Sequence, residues 1–140
     1  MTVMTRVLVV ANRTADSDEL LAALLDRQAQ GPISVTLLAP ATFEVTSPHG
    51  GRQAAMRRLR TATDRLREAG IETTGVVGDP DPFTAVAAIW DSDRFDEVVV
   101  CTLPERLSRW LRLDLPRRVD RLTSRSVQHI VAHERSLAYA

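Results

Sequence analysis

The chain of 140 residues is 44% hydrophobic and 26% charged, and its 18 basic and 18 acidic side chains cancel to zero formal charge. That size fits one domain with a core that needs no disulfide or metal support, and the balance excludes a disordered or collagen-like chain. Every basic residue is Arg; the absence of Lys excludes a Walker phosphate loop, the protein-kinase Lys, Schiff-base chemistry and a standard phospho-receiver domain, all of which need an ammonium group.

Thr5 to Ala11 is a short β-branched apolar run bounded by polar residues, and predicts a strand buried on both faces. Asn12-Arg13-Thr14 ends it. Asp16-x-x-Glu19 then reads as a capping pair for a helix in which Leu20, Leu21, Leu24 and Leu25 follow at helical spacing until Gly31-Pro32. Ile33 to Ala39 predicts the second strand, and a polar loop runs from Pro40 to Gly50-Gly51. From Arg52 to Ala69, apolar Ala55, Leu59, Ala62 and Leu66 recur every three or four residues, an amphipathic helix with its Arg side chains turned to water and Gly70 at its end. Ile71 to Val77 predicts the third strand. In Gly78-Asp79-Pro80-Asp81-Pro82, Asp81 caps and Pro82 opens a helix through Trp90. Glu97 to Cys101 predicts the fourth strand. Thr102-x-x-Glu105 reads as a second capping box, starting a helix with Leu103, Leu107 and Trp110 on one face. Asp114-Leu115-Pro116 breaks that helix and caps another from Arg117 to Ser124. Val127 to Ala132 predicts a fifth strand, and the tail from His133 to Ala140 shows no clear pattern.

This alternation of strands and helices predicts a single α/β domain over residues 1–140, a five-stranded parallel sheet with helices on both faces. In such sheets a ligand crevice lies beyond the carboxyl ends of the strands, where the strand order reverses. With the first strand central, Asn12, Arg13, Thr14, Leu38, Ala39, Pro40, Thr102 and Leu103 line that crevice, and Gly78-Asp79-Pro80 closes one side.

Charge is sorted along the chain. Residues 52–67 carry six Arg against Asp64, residues 71–100 carry seven acids against Arg94, and residues 101–140 carry eight Arg against four acids. Basic segments facing an acidic one, in a chain only 4% aromatic, fit ion pairs and solvated helix faces better than a nucleic-acid surface. One cysteine, Cys101, permits no internal disulfide and suggests a reducing cytoplasm. No apolar run approaches a signal-peptide core or a membrane span.

The order of elements, the first strand turning at its tip into a capped helix, and Gly78-Asp79-Pro80 after the third strand together resemble the universal stress protein family. Cys101-Thr102-Leu103-Pro104 and the stretch from Ser108 to Pro116 look like a divergent bacterial branch of it. The resemblance implies strand order 3-2-1-4-5 and a homodimer paired through the last strand, Val127 to Ala132. It also implies a nucleotide site with an acidic residue at the first strand's tip and a Gly-x2-Gly-x9-Gly-(Ser/Thr) run after the fourth strand. Here Asn12 stands near the acidic position, and no glycine follows Gly78. Asp114-Leu115-Pro116 occupies the place of the last Gly-(Ser/Thr), where side chains, a missing N–H and a carboxylate all oppose phosphate. This counts against ATP binding in the family's usual way.

Five Arg fill that stretch instead: Arg106, Arg109, Arg112, Arg117 and Arg118. Arg grips phosphate or carboxylate through two parallel hydrogen bonds, so side chains can replace glycine backbone there, helped by helix starts at Thr102 and Pro116. The competing reading pairs these Arg with Asp114, Asp120 and the acidic stretch 91–97, or sets them against a second subunit. The ligand-site candidates are thus Asn12, Arg13, Thr14, Leu38, Ala39, Thr102, Ser108, Arg109 and Arg117. No cofactor is fixed by the sequence; ATP, AMP or another phosphate-bearing small anion is the candidate. Cys101 reads as an inert buried thiol, His129 as structural or interfacial, and Trp110 as core or interface. His49, His129 and His133 lack metal-ligand spacing, and no catalytic constellation is evident. The leading expectation is a non-enzymatic sensor or adaptor. A ligand-free dimeric interaction module and a nucleotide-handling enzyme with Arg clamps are the alternatives.

Overall fold

A computed structural model describes residues 3–41, 51–104 and 106–134. Strands β1 (Thr5–Val10), β2 (Ile33–Pro40), β3 (Glu72–Gly78), β4 (Glu97–Thr102) and β5 (Val127–Val131) form one sheet in the order β3-β2-β1-β4-β5. All four pairings are parallel. Helices α1 (Asp18–Ala29), α2 (Gly51–Glu68), α3 (Pro82–Ile89), α4 (Arg109–Arg112) and α5 (Leu115–Thr123) connect them. Fold class and strand order are those expected.

The apolar run of β1 explains its central place. Val7 and Val9 face one core layer with Leu20 and Leu24 of α1 and Ala55, Leu59, Ala62 and Leu66 of α2. Leu8 and Val10 face the other layer, with Ala85 and Val86 of α3 and Leu115 and Val119 of α5. Successive strand side chains point to opposite faces, so only a run apolar at every position suits a strand covered on both. Trp110 belongs to the second layer.

Two helix starts differ from expectation. Asp16 does not cap α1; Ser17, in extended conformation, accepts from the Leu20 amide at 3.2 Å, while Glu19 holds the backbone and ring of His133. No helix starts at Thr102. That residue ends β4, its carbonyl accepts from Ala132, and its hydroxyl is hydrogen-bonded to His129 across the ladder, so it is not available to cap. The helix shrinks to α4, capped by Ser108 on the Leu111 amide. Asp114 precedes α5 in the left-handed region (φ 56°) without a side-chain cap, a conformation Asp tolerates better than most residues. Asp81 caps α3 as expected, on Thr84 at 2.9 Å, and Gly70 ends α2 at φ +87°. His49, Gly50, Glu105 and the tail from residue 135 lie outside the described residues.

The acidic stretch has its counter-charges at the amino ends of the strands. Arg6 of β1 donates Nη2 to Asp96 Oδ1 at 3.0 Å and Nε to Oδ2 at 3.1 Å. Arg27 of α1 grips both Glu97 oxygens, the shortest contact being 2.7 Å. The pairing expected for the late Arg cluster with this stretch is therefore not made. The length of β4, about 3.3 Å per residue, keeps the two apart.

Two predictions follow from packing and charge. A Cβ on Gly78 would lie 2.9 Å from the Ala85 Cβ and 2.8 Å from Leu38 Cδ1, and Ala85 has no rotamer by which to yield. Gly78→Ala is expected to lower stability by about 1–3 kcal/mol, read as a lower urea midpoint at unchanged slope. The Arg6 guanidinium holds the Asp96 carboxyl down at about 2. A depressed carboxyl stabilises the fold above its unfolded value of about 3.9, and that stabilisation is lost as pH falls through the folded value. Asp96→Asn should flatten the fall in melting temperature between about pH 4 and pH 2; parallel acid limbs for both proteins would contradict the pairing.

Candidate functional site

The chain leaves β1 for β2 on one side, and β4 lies on the other, so the strand order reverses at β1 and a crevice is expected beyond the carboxyl ends there. Asn12 is buried at that point. Its Nδ2 donates to the Pro40 carbonyl at 2.7 Å, and its Oδ1 accepts from Arg58 Nη1 at 3.0 Å. Thr14, also buried, donates its hydroxyl to the Cys101 carbonyl at 3.1 Å. Asn12 thus fastens the tip of β1 to β2, and Thr14 fastens the following turn to β4.

The remaining candidates divide by what their polar atoms already do. Leu38 and Ala39 are fully buried in opposite core layers, so that only their backbone could face a crevice. The Thr102 hydroxyl is engaged with His129 Nε2 at 2.7 Å, and Ser108 is buried as the α4 cap. Arg13 is exposed and paired with Glu134 at 2.8 Å. Arg109 and Arg117 are exposed. Among the described residues neither side chain takes part in a hydrogen bond or ion pair, and Asp114 and Asp120 make no ion pair with the late Arg cluster. Arg118 stacks over the Phe83 ring at 4.2 Å, which ties the start of α5 to α3. The structure therefore brings Asn12, Thr14 and Thr102 to neighbouring strand ends as structural ties, and leaves Arg109 and Arg117 as uncommitted cations on the segment after β4.

Burial pushes the Cys101 thiol up to about 11, against smaller opposing effects from Thr14 and Ser17. Burial also lowers His129 from its ordinary value, which favours the neutral ring beside Thr102. No group of three His, Cys, Asp or Glu side chains among the described residues could hold a metal ion.

Sequence reasoning missed Arg58 and Arg65. Both lie on α2, whose Arg were assigned to water, yet Arg58 reaches the tip of β1 and Arg65 reaches the Asp16 carbonyl and Asp18 at the start of α1. Position on a helix face cannot reveal such reach, because a long side chain's end is set by its tertiary neighbours. Ser17, by contrast, carried a readable signal: a hydroxyl directly before Asp18-Glu19 and the first core leucine.

No known family profile and no curated relative matches the chain. Solved structures do. A universal stress protein from Archaeoglobus fulgidus in complex with dAMP has a TM-score of 0.64 at 16% identity, covering 93% of this chain and 99% of that one. One from Arabidopsis thaliana with AMP bound has a TM-score of 0.65 at 14% identity, covering 92% of each chain. Another universal stress protein in complex with cAMP has a TM-score of 0.56 at 22% identity, covering 92% of this chain and 98% of that one. The likeness is one of fold: the chain has the universal-stress-protein fold. No helix among the described residues is long and apolar enough to cross a membrane.

A thiol raised to about 11 supplies little thiolate near neutral pH. Native protein is expected to react with a disulfide reagent roughly 100-fold or more slowly than urea-unfolded protein. Equal rates would mean that the Thr14–Cys101 contact opens readily.

Proposed function

We propose that the chain is a divergent universal stress protein, a non-enzymatic sensor or adaptor of the cytoplasm. Its ligand is a small phosphate-bearing molecule of the AMP or ATP class, bound beyond the carboxyl ends of β1 and β4. The observation that carries this reading is the pair Arg109 and Arg117. Both are exposed, and the acidic stretch that would have neutralised them is held at the amino ends of the strands by Arg6 and Arg27. An exposed guanidinium without a counter-ion can accept a phosphate through a bidentate contact. Structures of the same fold that contain dAMP, cAMP or AMP support the ligand class. Arg side chains take the part that glycine backbone plays in the resembled family, while Arg13 stands near the strand tip and can exchange Glu134 for a ligand anion.

A second reading has its own support. Asn12, Thr14, Thr102 and Ser108 are buried with their polar groups engaged, as in a module that uses the strand tips only as scaffold. Such a module works as a homodimer. β5 ends the sheet with Gln128, His129 and Val131 exposed, and an open edge of that kind favours pairing with a second copy.

Thermal-shift titration with AMP, ATP, cAMP and inorganic phosphate separates the two. A ligand binding only the folded state at a hundredfold over its Kd adds about 2.7 kcal/mol, on the order of 5–10 °C for a domain of this size. The sensor reading expects such a rise with AMP or ATP, and its loss in Arg109→Ala and Arg117→Ala. No shift with any of the four leaves the interaction module. A shift that survives in both variants rejects the Arg site.

A further inference from the structure

The most positive stretch, residues 52–67, is only partly accounted for by the site at the strand tips. On α2, Arg58 and Arg65 are spent on β1 and α1. Arg52 and Arg60 are exposed, and among the described residues their side chains take part in no hydrogen bond or ion pair. Both line a groove of about 420 Å³ between α2 and the sheet edge formed by β3.

The floor of this groove is an open strand edge. β3 pairs with β2 alone. Its Gly78 carbonyl accepts from Ala41 on the β2 side, and in a parallel strand successive residues turn their amide and carbonyl to alternate sides. Thr73, Gly75 and Val77 therefore direct theirs outward. Arg67 Nε covers one of these groups, the Thr73 carbonyl, at 2.9 Å. The outward groups of Gly75 and Val77 lie in the groove without a strand partner among the described residues. Gly75 lets α2 approach the strand closely, since Leu59 Cγ lies only 2.8 Å from where its Cβ would be. Met56, 47% exposed, gives the rim an apolar contact, and Thr63, 7% exposed, lies behind it with a hydroxyl that has no hydrogen-bond partner among the described residues. Asp64 is the single carboxylate among the described residues that line the groove with the three guanidiniums.

We propose that this groove binds an extended acidic segment of a partner protein, which adds to β3 as a sixth strand. Main-chain bonds to Gly75 and Val77 supply the pairing. Alternate side chains, which point to one face of a strand, set carboxylates against Arg52 and Arg60 and an apolar side chain on Met56. Strand addition of this type takes its affinity from the backbone and its selectivity from side-chain contacts. Charged edge residues guard against indiscriminate pairing. Here the guard is of one sign, so it repels basic strands and attracts acidic ones.

The test uses a fluorescent peptide of about eight residues with Glu, Val and Glu at alternate positions and Thr between them, and a control in which Lys replaces each Glu, the Lys-Val peptide. Anisotropy should show saturable binding of the acidic peptide alone, weakening with salt. The double variant Arg52→Glu, Arg60→Glu should bind about tenfold or more weakly at an unchanged melting temperature. Val77→Pro, which removes an outward amide without breaking a bond to β2, should weaken the peptide as well. Amide NMR shifts should centre on Gly75 and Val77. Absence of saturable binding, equal binding of the Lys-Val peptide, or indifference to Arg reversal would overturn the proposal. So would binding of inorganic phosphate but not the peptide, which would make the groove a small-anion site, or self-association through this edge in sedimentation. None of these readouts involves Arg109 or Arg117, so this proposal and the nucleotide reading fail separately.

Discussion

Everything in this molecule is built outward from β1, a strand whose side chains from Val7 to Val10 are buried against helices on both faces. A strand so covered cannot shift by one residue without exchanging its two core layers, and its register with β2 and β4 is fixed accordingly. What happens at its carboxyl end follows from that immobility. The chain must turn sharply away, and Asn12 and Thr14 hold the turn to the ends of β2 and β4 through buried hydrogen bonds. Each bond satisfies a polar group that would otherwise be stranded in the core, where an unmet donor costs about 1–3 kcal/mol.

The same bonds determine what kind of recognition the crevice can support. Groups used to tie strands together are not free to meet a ligand, and the segment after β4 has no glycine to let backbone approach a phosphate. In the proposed reading, recognition there falls to Arg109 and Arg117. The charge layout suits this, because Asp96 and Glu97 are paired with Arg6 and Arg27 at the far end of the strands.

Much of the fold was legible in the sequence because it rests on continuous apolar runs and on caps with local causes. The runs from Val7 to Val10 and from Val98 to Cys101 could hardly be anything but covered strands, and Asp81-Pro82 could hardly be anything but a helix start. Strand order came from family resemblance rather than from periodicity, which carries no information about neighbours. The failures share a physical origin. Thr102 looked like a cap because its hydroxyl was taken to be free, but His129, 27 residues on, had claimed it. The acidic stretch looked like a partner for the late Arg cluster because both flank β4, whereas that strand's length separates them. Arg58 was lost for the same reason, since its target lies 46 positions away. At the site, residue types were readable; which polar atoms remained free was not.

The central claim is that an anionic ligand is held by Arg side chains after β4 while the strand tips serve as scaffold. The most direct measurement is two-dimensional NMR of the uniformly labelled protein, following backbone amides and Arg Nε–Hε signals as AMP is added. The account predicts that the Arg109 and Arg117 side-chain signals shift and saturate together with amides around Ser108. The Asn12 side-chain amide, held on Pro40, should keep its position. Movement of the Asn12 signal with none at Arg109 or Arg117, or no movement anywhere, would contradict it.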